Sequence, residues 1–413
     1  MKCGLLGRKL GHSYSPQIHA MLGDYTYELF EREPEELEDF LKNGDFHGLN
    51  VTVPYKKAVI PYLDELTPIA KKLGAVNTIV RRDGKLIGHN TDYFGFQMML
   101  DRLTMPIDLR KVLVLGSGGA SNTAAAVLRD RGARVVVISR TGEHNYQNLH
   151  LHQDAELIVN TTPVGMYPDT GIAPVDVKNR KAFPCLRGVL DVIYNPARTQ
   201  LLLDAETQIE DDGWFNVGNG LLMLVAQAKE AAEWFTGTSI SDAVIEPILD
   251  KLEAQMLNIV LIGMPGCGKT TIGRLLAEKT GRKFVDSDEL IVKLAGKAIP
   301  EIFAQDGEEV FRDWETKALT ELGKQSGLVI ATGGGCVTKE RNYNLLHQNG
   351  EIFWIRRDIS ALPTEGRPLS RASSLEEMYR IREPLYLRFH DWLIDNNGSP
   401  LEAAEHILHI LEG

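Results

Sequence analysis
The sequence predicts an α/β chain with parallel sheets and more than one domain, and three observations predict it. Short apolar runs alternate with amphipathic stretches of helix length, the pattern of strands joined by crossover helices. Two of those runs flow into glycine-rich turns that open onto helix-compatible sequence: KVLVLGSGGASNTAAAVLRDRGARVVVISR at 111–140 and NIVLIGMPGCGKTT at 258–271. The chain has 413 residues. At the usual domain size of roughly 100–200 residues, that is room for about two to four units.

Lys and Arg total 45 against 56 Asp and Glu, a formal net charge of −11. An acidic chain gains little from nucleic acid or an anionic membrane, so small molecules are the expected partners, and any anionic ligand must meet locally placed basic groups. Cys3, Cys185, Cys267 and Cys336 form no CxxC pair and read as reduced thiols rather than a disulfide frame or a zinc site. MKCGLLGRKLGHSYSP lacks the apolar core of a signal segment, and no run approaches the ~20 apolar residues that span a bilayer. A cytoplasmic monomer or homodimer is the expectation.

In the first half, polar residues cluster where apolar runs end. GHSYSP carries Ser13 and Ser15, two hydroxyls suited to a carboxylate. GLNVTVPYKK, with a strand expected over Val51–Val53, and GHNTDYFG bring Lys56 and Asp92. These two could form a proton-transfer pair beside a reducible carbonyl; by residue type alone they read equally as an ion pair or two surface charges. Val112–Leu115, Val135–Ile138, Leu157–Val159 and Val189–Ile193 read as strands. After the first, Gly116 and Gly118 suit a tight turn and the approach of a pyrophosphate to a helix N-terminus, although Ser121 stands at the third fingerprint position. At the end of the second, Ser139, Arg140 and Thr141 replace the acidic residue of an NAD site and suit the 2′-phosphate of NADP, although by residue type Arg140 reads equally as a surface arginine after a strand. Only 17 residues, 141–157, separate Arg140 from Ile158. That is short for a helix, a strand and their turns, so this dinucleotide-binding Rossmann domain is expected to be trimmed at its adenosine side. His144, His150 and His152 lie there and read as surface histidines rather than metal ligands. GLLMLVAQAKEAAEWF, from Gly220, reads as a helix with a long apolar face, and 241–256 as a helical connector.

The motifs HSYSP, NVTVPYK, GAVNTI, NTD, GSGGAS, NTTPVGM and GLLMLVAQA occur in that order over about 1–237, and by them the first half resembles shikimate dehydrogenase. The resemblance implies that Ser13, Ser15, Thr52, Asn77, Tyr194 and Gln227 surround shikimate, beside Lys56 and Asp92. It implies that Lys56 is the main acid/base group in NADPH-dependent reduction of 3-dehydroshikimate, and that Asp92 orients the same hydroxyl. Gly116, Gly118, Gly119, Ala120, Ser139, Arg140, Thr141 and Gly218 would hold NADP(H), with Met223 near the nicotinamide. One departure is that no basic residue follows Arg140 in Gly142, Glu143 and His144.

In the second half, Ile259–Ile262 is a buried strand by pattern and leads into Gly263-x-x-x-x-Gly268-Lys269-Thr270. Backbone N–H groups of such a loop cradle phosphates, Lys269 would reach the β- and γ-phosphates, and Thr270 would offer its hydroxyl to Mg²⁺. FVDSDEL places Asp286 and Asp288 on the same side of an extended strand end, where they could serve metal water and an acceptor hydroxyl; taken alone, a D-x-D reads more often as a solvated strand end or helix cap. Three glycines, Gly333–Gly335, follow LVIA and read as a backbone that a ligand approaches closely. Arg312, Arg367 and Arg382 come from separate segments, as an acidic substrate plus a triphosphate requires.

The phosphate loop, DSD, FRxxE, GGG, GRPL and RxPLY motifs, in that order, resemble shikimate kinase across essentially all of 257–413. The resemblance implies that Gly263, Gly266, Gly268, Lys269, Thr270, Thr271 and the lid residue Arg367 bind ATP, and that Thr270 and Asp286 hold Mg²⁺. Asp288 would orient the shikimate hydroxyl or act as base, while Arg312, Arg382 and the Gly334 backbone grip the carboxylate. Cys267 stands where Ser is commoner, at a position that works through its backbone. DISALPTEG lacks an arginine that many members place near adenine.

Together the two resemblances imply a bifunctional enzyme of aromatic amino acid (chorismate) biosynthesis. The layout expected is an α/β substrate domain over 1–95, completed by about 216–240, and a trimmed Rossmann NADP-binding domain over 96–215. A connector over 241–256 then leads to a P-loop kinase domain with a parallel sheet over 257–413. The main alternative is an active kinase fused to a non-catalytic dehydrogenase-like binding module. Retention of Lys56 and Asp92 argues against it. An NAD-dependent quinate enzyme is disfavoured by the fusion, and a regulatory nucleotide switch by the missing guanine motif.

Overall fold
The computed structural model describes residues 1–11, 13–209, 215–362 and 375–412. Runs rich in Val, Ile and Leu at the centre of the parallel sheets become strands buried on both faces, because crossover helices cover them, whereas the Val-rich edge run at 134–138 is only half-buried. The chain opens with β1 (Lys2–Gly7), α1 (Ser15–Leu22), β2 (Thr26–Glu31), α2 (Leu37–Asn43) and β3 (Gly48–Val51). It continues through β4 (Glu65–Leu66), α3 (Pro68–Leu73), β5 (Thr78–Arg82), β6 (Lys85–His89) and α4 (Asp92–Asp101). Among the described residues these strands make a mixed sheet of order β2-β1-β3-β5-β6-β4, with β5 antiparallel to both β3 and β6. The strand expected over Val51–Val53 ends at Val51. The chain turns there, the Tyr55 N–H donating to the Thr52 carbonyl at 2.9 Å, and Val53 is 73% exposed. That turn brings Lys56 round to the end of β3.

Next come β7 (Lys111–Leu115), α5 (Gly119–Asp130), β8 (Arg134–Ile138), β9 (Leu157–Asn160), β10 (Gly188–Asp191), α6 (Gln200–Glu206), β11 (Asn216–Gly218) and α7 (Leu221–Thr236). The strands form a parallel sheet of order β11-β10-β9-β7-β8. β8 and β9 leave β7 on opposite sides, so the glycine turn after β7 stands at a topological switch point, where open α/β sheets bind ligands. The span between β8 and β9 holds no α-helix, only a 3₁₀ turn at Leu149–His152. In this short connection His152 is buried and its Nε2 lies 3.1 Å from His144 Nδ1. Of the three histidines read as surface residues, His152 is therefore not one: the 3₁₀ turn tucks it inward.

After α8 (Ile245–Met256) the chain forms β12 (Asn258–Ile262), α9 (Lys269–Thr280), β13 (Lys283–Asp286), α10 (Ser287–Ala295), α11 (Ile299–Gln305) and α12 (Gly307–Gly323). It ends with β14 (Leu328–Ala331), α13 (Arg341–His347), β15 (Gly350–Arg356), α14 (Leu375–Phe389), β16 (Trp392–Asp395) and α15 (Pro400–Glu412). These strands make a parallel sheet of order β13-β14-β12-β15-β16, with Ile259–Ile262 fully buried at its centre. The chain divides into two compact units. The first takes in Met1–Gly165, Ile172–Tyr194 and Asp204–Lys251; the second takes in Met166–Gly171, Asn195–Leu203 and Leu252–Gly413. Among the described residues, no helix is long and apolar enough to cross a membrane.

Candidate active sites
In the first unit, a cavity of about 290 Å³ collects residues from the mixed sheet and its loops, from α5 and α7 and from the loop after β10, including Ser13, Ser15, Thr52, Lys56, Asn77, Asp92, Tyr194, Met223 and Gln227. Asp92 opens α4, where the helix N-terminus favours a carboxylate, and its backbone N–H donates to Asn90 Oδ1 at 3.1 Å. Lys56 Nζ donates to Asp92 Oδ2 at 2.6 Å. The other oxygen, Oδ1, accepts from Asn77 Nδ2 at 2.9 Å. Asn77 is itself locked, its Oδ1 accepting from the Thr91 N–H at 2.7 Å, while Gln227 Oε1 accepts from Thr91 Oγ1 at 3.3 Å. The lysine thus meets a carboxylate with a fixed orientation. Asn50, which also lines the cavity, accepts from the half-buried Tyr27 hydroxyl at 2.7 Å. Tyr194 stacks edge-on with Tyr14, ring centres 6.3 Å apart. Burial, with Tyr14 beside it, pushes its phenol above the ordinary value, so the hydroxyl keeps its proton.

The dinucleotide turn follows β7. Gly116 has φ +112°, a left-handed conformation open to glycine, and Ser121 Oγ closes the turn by donating to the Gly116 carbonyl at 2.7 Å. The serine at the third fingerprint position therefore ties the loop to its helix. A Cβ on Gly118 or Gly119 would meet nothing within 4 Å, so the space a pyrophosphate needs at the start of α5 is open. Ala120 lines the same cavity, whereas Gly116, Gly118, Gly119 and Gly218 do not. Arg140 and Thr141 are exposed at the end of β8, and Ser139 Oγ accepts from the Gly142 N–H at 2.8 Å. Asn160, in the NTTPVG stretch, accepts from both the N–H and the hydroxyl of Thr162 and shapes the loop after β9.

In the second unit, a cavity of about 390 Å³ brings together Gly266, Gly268, Lys269, Thr270, Thr271, Asp286, Asp288, Arg312, Gly334 and Arg382. Gly263 is not in the lining. It holds the loop at φ +141°, where a Cβ would run into the Ile355 carbonyl. Lys269 is buried and donates to the carbonyls of Gly263 at 2.8 Å and Met264 at 3.0 Å. Cys267 is fully buried and its carbonyl accepts from Asn396 Nδ2 at 2.6 Å, so the loop uses this residue's backbone. Asp286 and Asp288 do not share a strand end as expected. Asp286 caps α10, its carboxylate accepting from the Asp288 N–H at 3.0 Å, and Asp288 sits in the first helical turn. Capping and the helix dipole both favour this arrangement, and it still turns both carboxylates into the cavity. Thr270 Oγ1 donates to Asp286 Oδ2 at 3.1 Å.

Arg312 donates to Glu315 Oε2 at 2.8 Å and to Glu308 Oε1 at 3.1 Å. Burial of Glu315 outweighs the pull of Arg312 and pushes its carboxyl up to about 7. Burial works against the charge on Arg312, but the two glutamates more than offset it and hold the guanidinium above its ordinary value. The Gly334 carbonyl accepts from Arg382 Nη1 at 3.1 Å and from the fully buried Tyr386 hydroxyl at 2.5 Å. Glu315 and Tyr386 received no role from sequence; their spacing, three residues after Arg312 and four after Arg382 on one helix face, could have supplied it. Arg367 lies outside the described residues.

The shikimate dehydrogenase substrate binding domain matches residues 5–79, and shikimate kinase matches residues 265–412. Shikimate dehydrogenase (NADP(+)) of Clostridium perfringens (strain SM101 / Type A) is 37% identical over 274 residues, covering 61% of this chain and 98% of that protein. The enzyme of the same name from Methanosphaera stadtmanae is 34% identical, over 60% and 96%. A chorismate mutase/shikimate 5-dehydrogenase fusion protein from Clostridium acetobutylicum superposes with a TM-score of 0.55 at 35% identity, over 61% of this chain and 97% of that one. Shikimate 5-dehydrogenase from Thermus thermophilus, solved in complex with NADP(H) and shikimate, gives 0.53 at 30% identity, over 61% and 99%. The chain belongs to the shikimate dehydrogenase family, and behind that region it carries a shikimate kinase domain.

Proposed function
We propose that the first region reduces 3-dehydroshikimate to shikimate with NADPH, reversibly, and that the second phosphorylates the 3-hydroxyl of shikimate with ATP and Mg²⁺. The observation that carries this reading is the pairing of Lys56 and Asp92 at 2.6 Å in the first cavity, in a chain whose second cavity joins a phosphate loop to two arginines. The product of the first reaction is the substrate of the second. The same pairing counts against a non-catalytic first module, which has no use for a lysine and a carboxylate aligned over a cavity.

NADPH, when bound, supplies the hydride. Ser13 and Ser15 accept the substrate carboxylate with neutral donors, while Thr52, Asn77, Tyr194 and Gln227 surround the ring. Lys56 Nζ holds the proton that the substrate oxygen takes on reduction and receives it back on oxidation. Asp92, fixed by Asn77, keeps that nitrogen in place and stabilises its charge. Arg140 and Thr141 are free to face a 2′-phosphate, which favours NADP over NAD.

In the second cavity, the oxygens of Thr270 and Asp286, 3.1 Å apart, fit Mg²⁺, a hard cation that takes oxygen ligands and here would neutralise phosphate charge. Lys269 and the loop N–H groups bind the phosphates, with Arg367 proposed to close over them. Arg312, Arg382 and the Gly334 backbone grip the shikimate carboxylate, and Asp288 orients the acceptor hydroxyl and takes its proton. Positioning and charge neutralisation carry most of the rate. The proposed layout is a dehydrogenase region over 1–240, a helical connector over 241–256 and a kinase domain over 257–413.

The test is a steady-state assay of the purified chain with shikimate against NADP, NAD and ATP separately. Oxidation with NADP in preference to NAD, together with formation of shikimate 3-phosphate from ATP, is expected. Phosphorylation without any pyridine-nucleotide-linked oxidation would establish the binding-module alternative instead.

A further inference from the structure
The triple glycine Gly333–Gly335 follows β14 and lines the second cavity. None of the three stands in left-handed backbone, so conformational freedom does not explain why each is glycine. Space does, and each faces a different group. A Cβ on Gly333 would lie 2.8 Å from Asp288 Oδ1 and 2.9 Å from Glu315 Oε1. On Gly334 it would lie 2.7 Å from Cδ and 2.8 Å from Cγ of Pro265, in the phosphate loop. On Gly335 it would fall inside the Arg312 guanidinium. The backbone of the segment is held independently: Gly333 N–H donates to buried Ser287 Oγ at 3.0 Å, and the Gly334 carbonyl takes the two bonds from Arg382 and Tyr386.

We infer that the triple glycine is a mounting plate whose three α-carbons separately position the acceptor-hydroxyl carboxylates, the phosphate loop and the carboxylate-gripping arginine. These are positioning residues for the kinase reaction, and the inference rests on the kinase reading above. Gly334 carries its most specific consequence. The segment that offers its backbone to the shikimate carboxylate is also the surface against which Pro265 of the ATP loop rests, so the two substrate sites share one wall.

Three single substitutions test it in the full chain, with dehydrogenase activity as the control for integrity. Gly335→Ala raises the shikimate KM by roughly tenfold or more with little change in the ATP KM; Gly334→Ala raises the ATP KM; Gly333→Ala lowers kcat by roughly tenfold or more. Trimming the opposing ring in Gly334→Ala Pro265→Ala removes the two closest contacts and leaves the Pro265 backbone N at 3.0 Å, so it lowers the ATP KM part of the way back, a relief that general damage to the loop does not produce. If Gly334→Ala does not fold, the double variant carries the ATP arm alone: an ATP KM raised above that of Pro265→Ala, through the Pro265 backbone contact that remains, supports the plate, and one equal to it overturns it. The inference also fails if the three variants lose activity with one common signature, or if none changes. Should the wild-type chain not phosphorylate shikimate, the kinase reading falls first. The plate is then judged by calorimetric titration with MgATP, which Gly334→Ala weakens and Gly335→Ala does not.

Discussion
Lys56 and Lys269 show how one residue type is put to two uses by what surrounds it. Lys56 is part-exposed and faces a single carboxylate that is itself fixed by an amide, so its proton is aimed at whatever occupies the cavity. Lys269 is buried and bonded to two loop carbonyls. Lys56→Ala is expected to lower NADP-linked shikimate oxidation by roughly 10²–10⁴-fold, the usual contribution of a positioned acid/base group. Phosphorylation of shikimate by the same preparation is expected to remain at the wild-type rate, and an unchanged oxidation rate would remove the role assigned to Lys56. Both lysines were legible in the sequence, because the motifs around them are local. Glu315 and Tyr386 were not singled out, since each acts through a partner on its own helix and neither residue type announces that.

At the scale of elements, the strands were readable where apolar runs were continuous, as in β7, β9 and β12, and the glycine turns marked the helices behind them. What the pattern did not reveal was the hand-over from strand to helix at Asp286: a D-x-D pair suits a strand end and a helix cap equally, and only the capping bond decides. The burial of His152 was hidden for a related reason, because a short polar connection gives no periodicity to read. Helix α12 carries a consequence for pH. Glu315 has its carboxyl raised from 4.5 to about 7 by burial, so the folded state holds a proton that the unfolded chain releases. Its contribution to stability is therefore full below about pH 4.5 and is lost as pH rises towards 7, by an amount on the order of 3 kcal/mol. Thermal unfolding between pH 4.5 and 7.5 is expected to show this decline in the wild type and a flatter profile in Glu315→Gln. Equal slopes would mean that Glu315 is ionised in the fold.

At the scale of the whole molecule, two parallel sheets each place a glycine turn at a switch point, and a mixed sheet completes the first cavity. A chain with two such cavities is expected to separate its activities by mutation. Lys269→Ala removes shikimate phosphorylation, by roughly 10²-fold or more, while NADP-linked oxidation persists. Mixing Lys56→Ala with Lys269→Ala protein is expected to restore net conversion of 3-dehydroshikimate to shikimate 3-phosphate, because shikimate released by one chain serves the other. Failure of the mixture, with each single activity intact, would mean that shikimate does not leave the chain that makes it.

The two carbonyl bonds that Lys269 makes have one more consequence, for selectivity among anions. The carbonyls of Gly263 and Met264 hold the Lys269 ammonium in place, so any anion that takes the lysine must replace bonds it already makes. An ion bearing a single anionic group must replace two hydrogen bonds from the ammonium and has few of its own to offer in return. A polyphosphate can make that exchange, because it engages the lysine and the loop amides together. These two bonds thus weight the loop towards anions that carry several charged groups in a row.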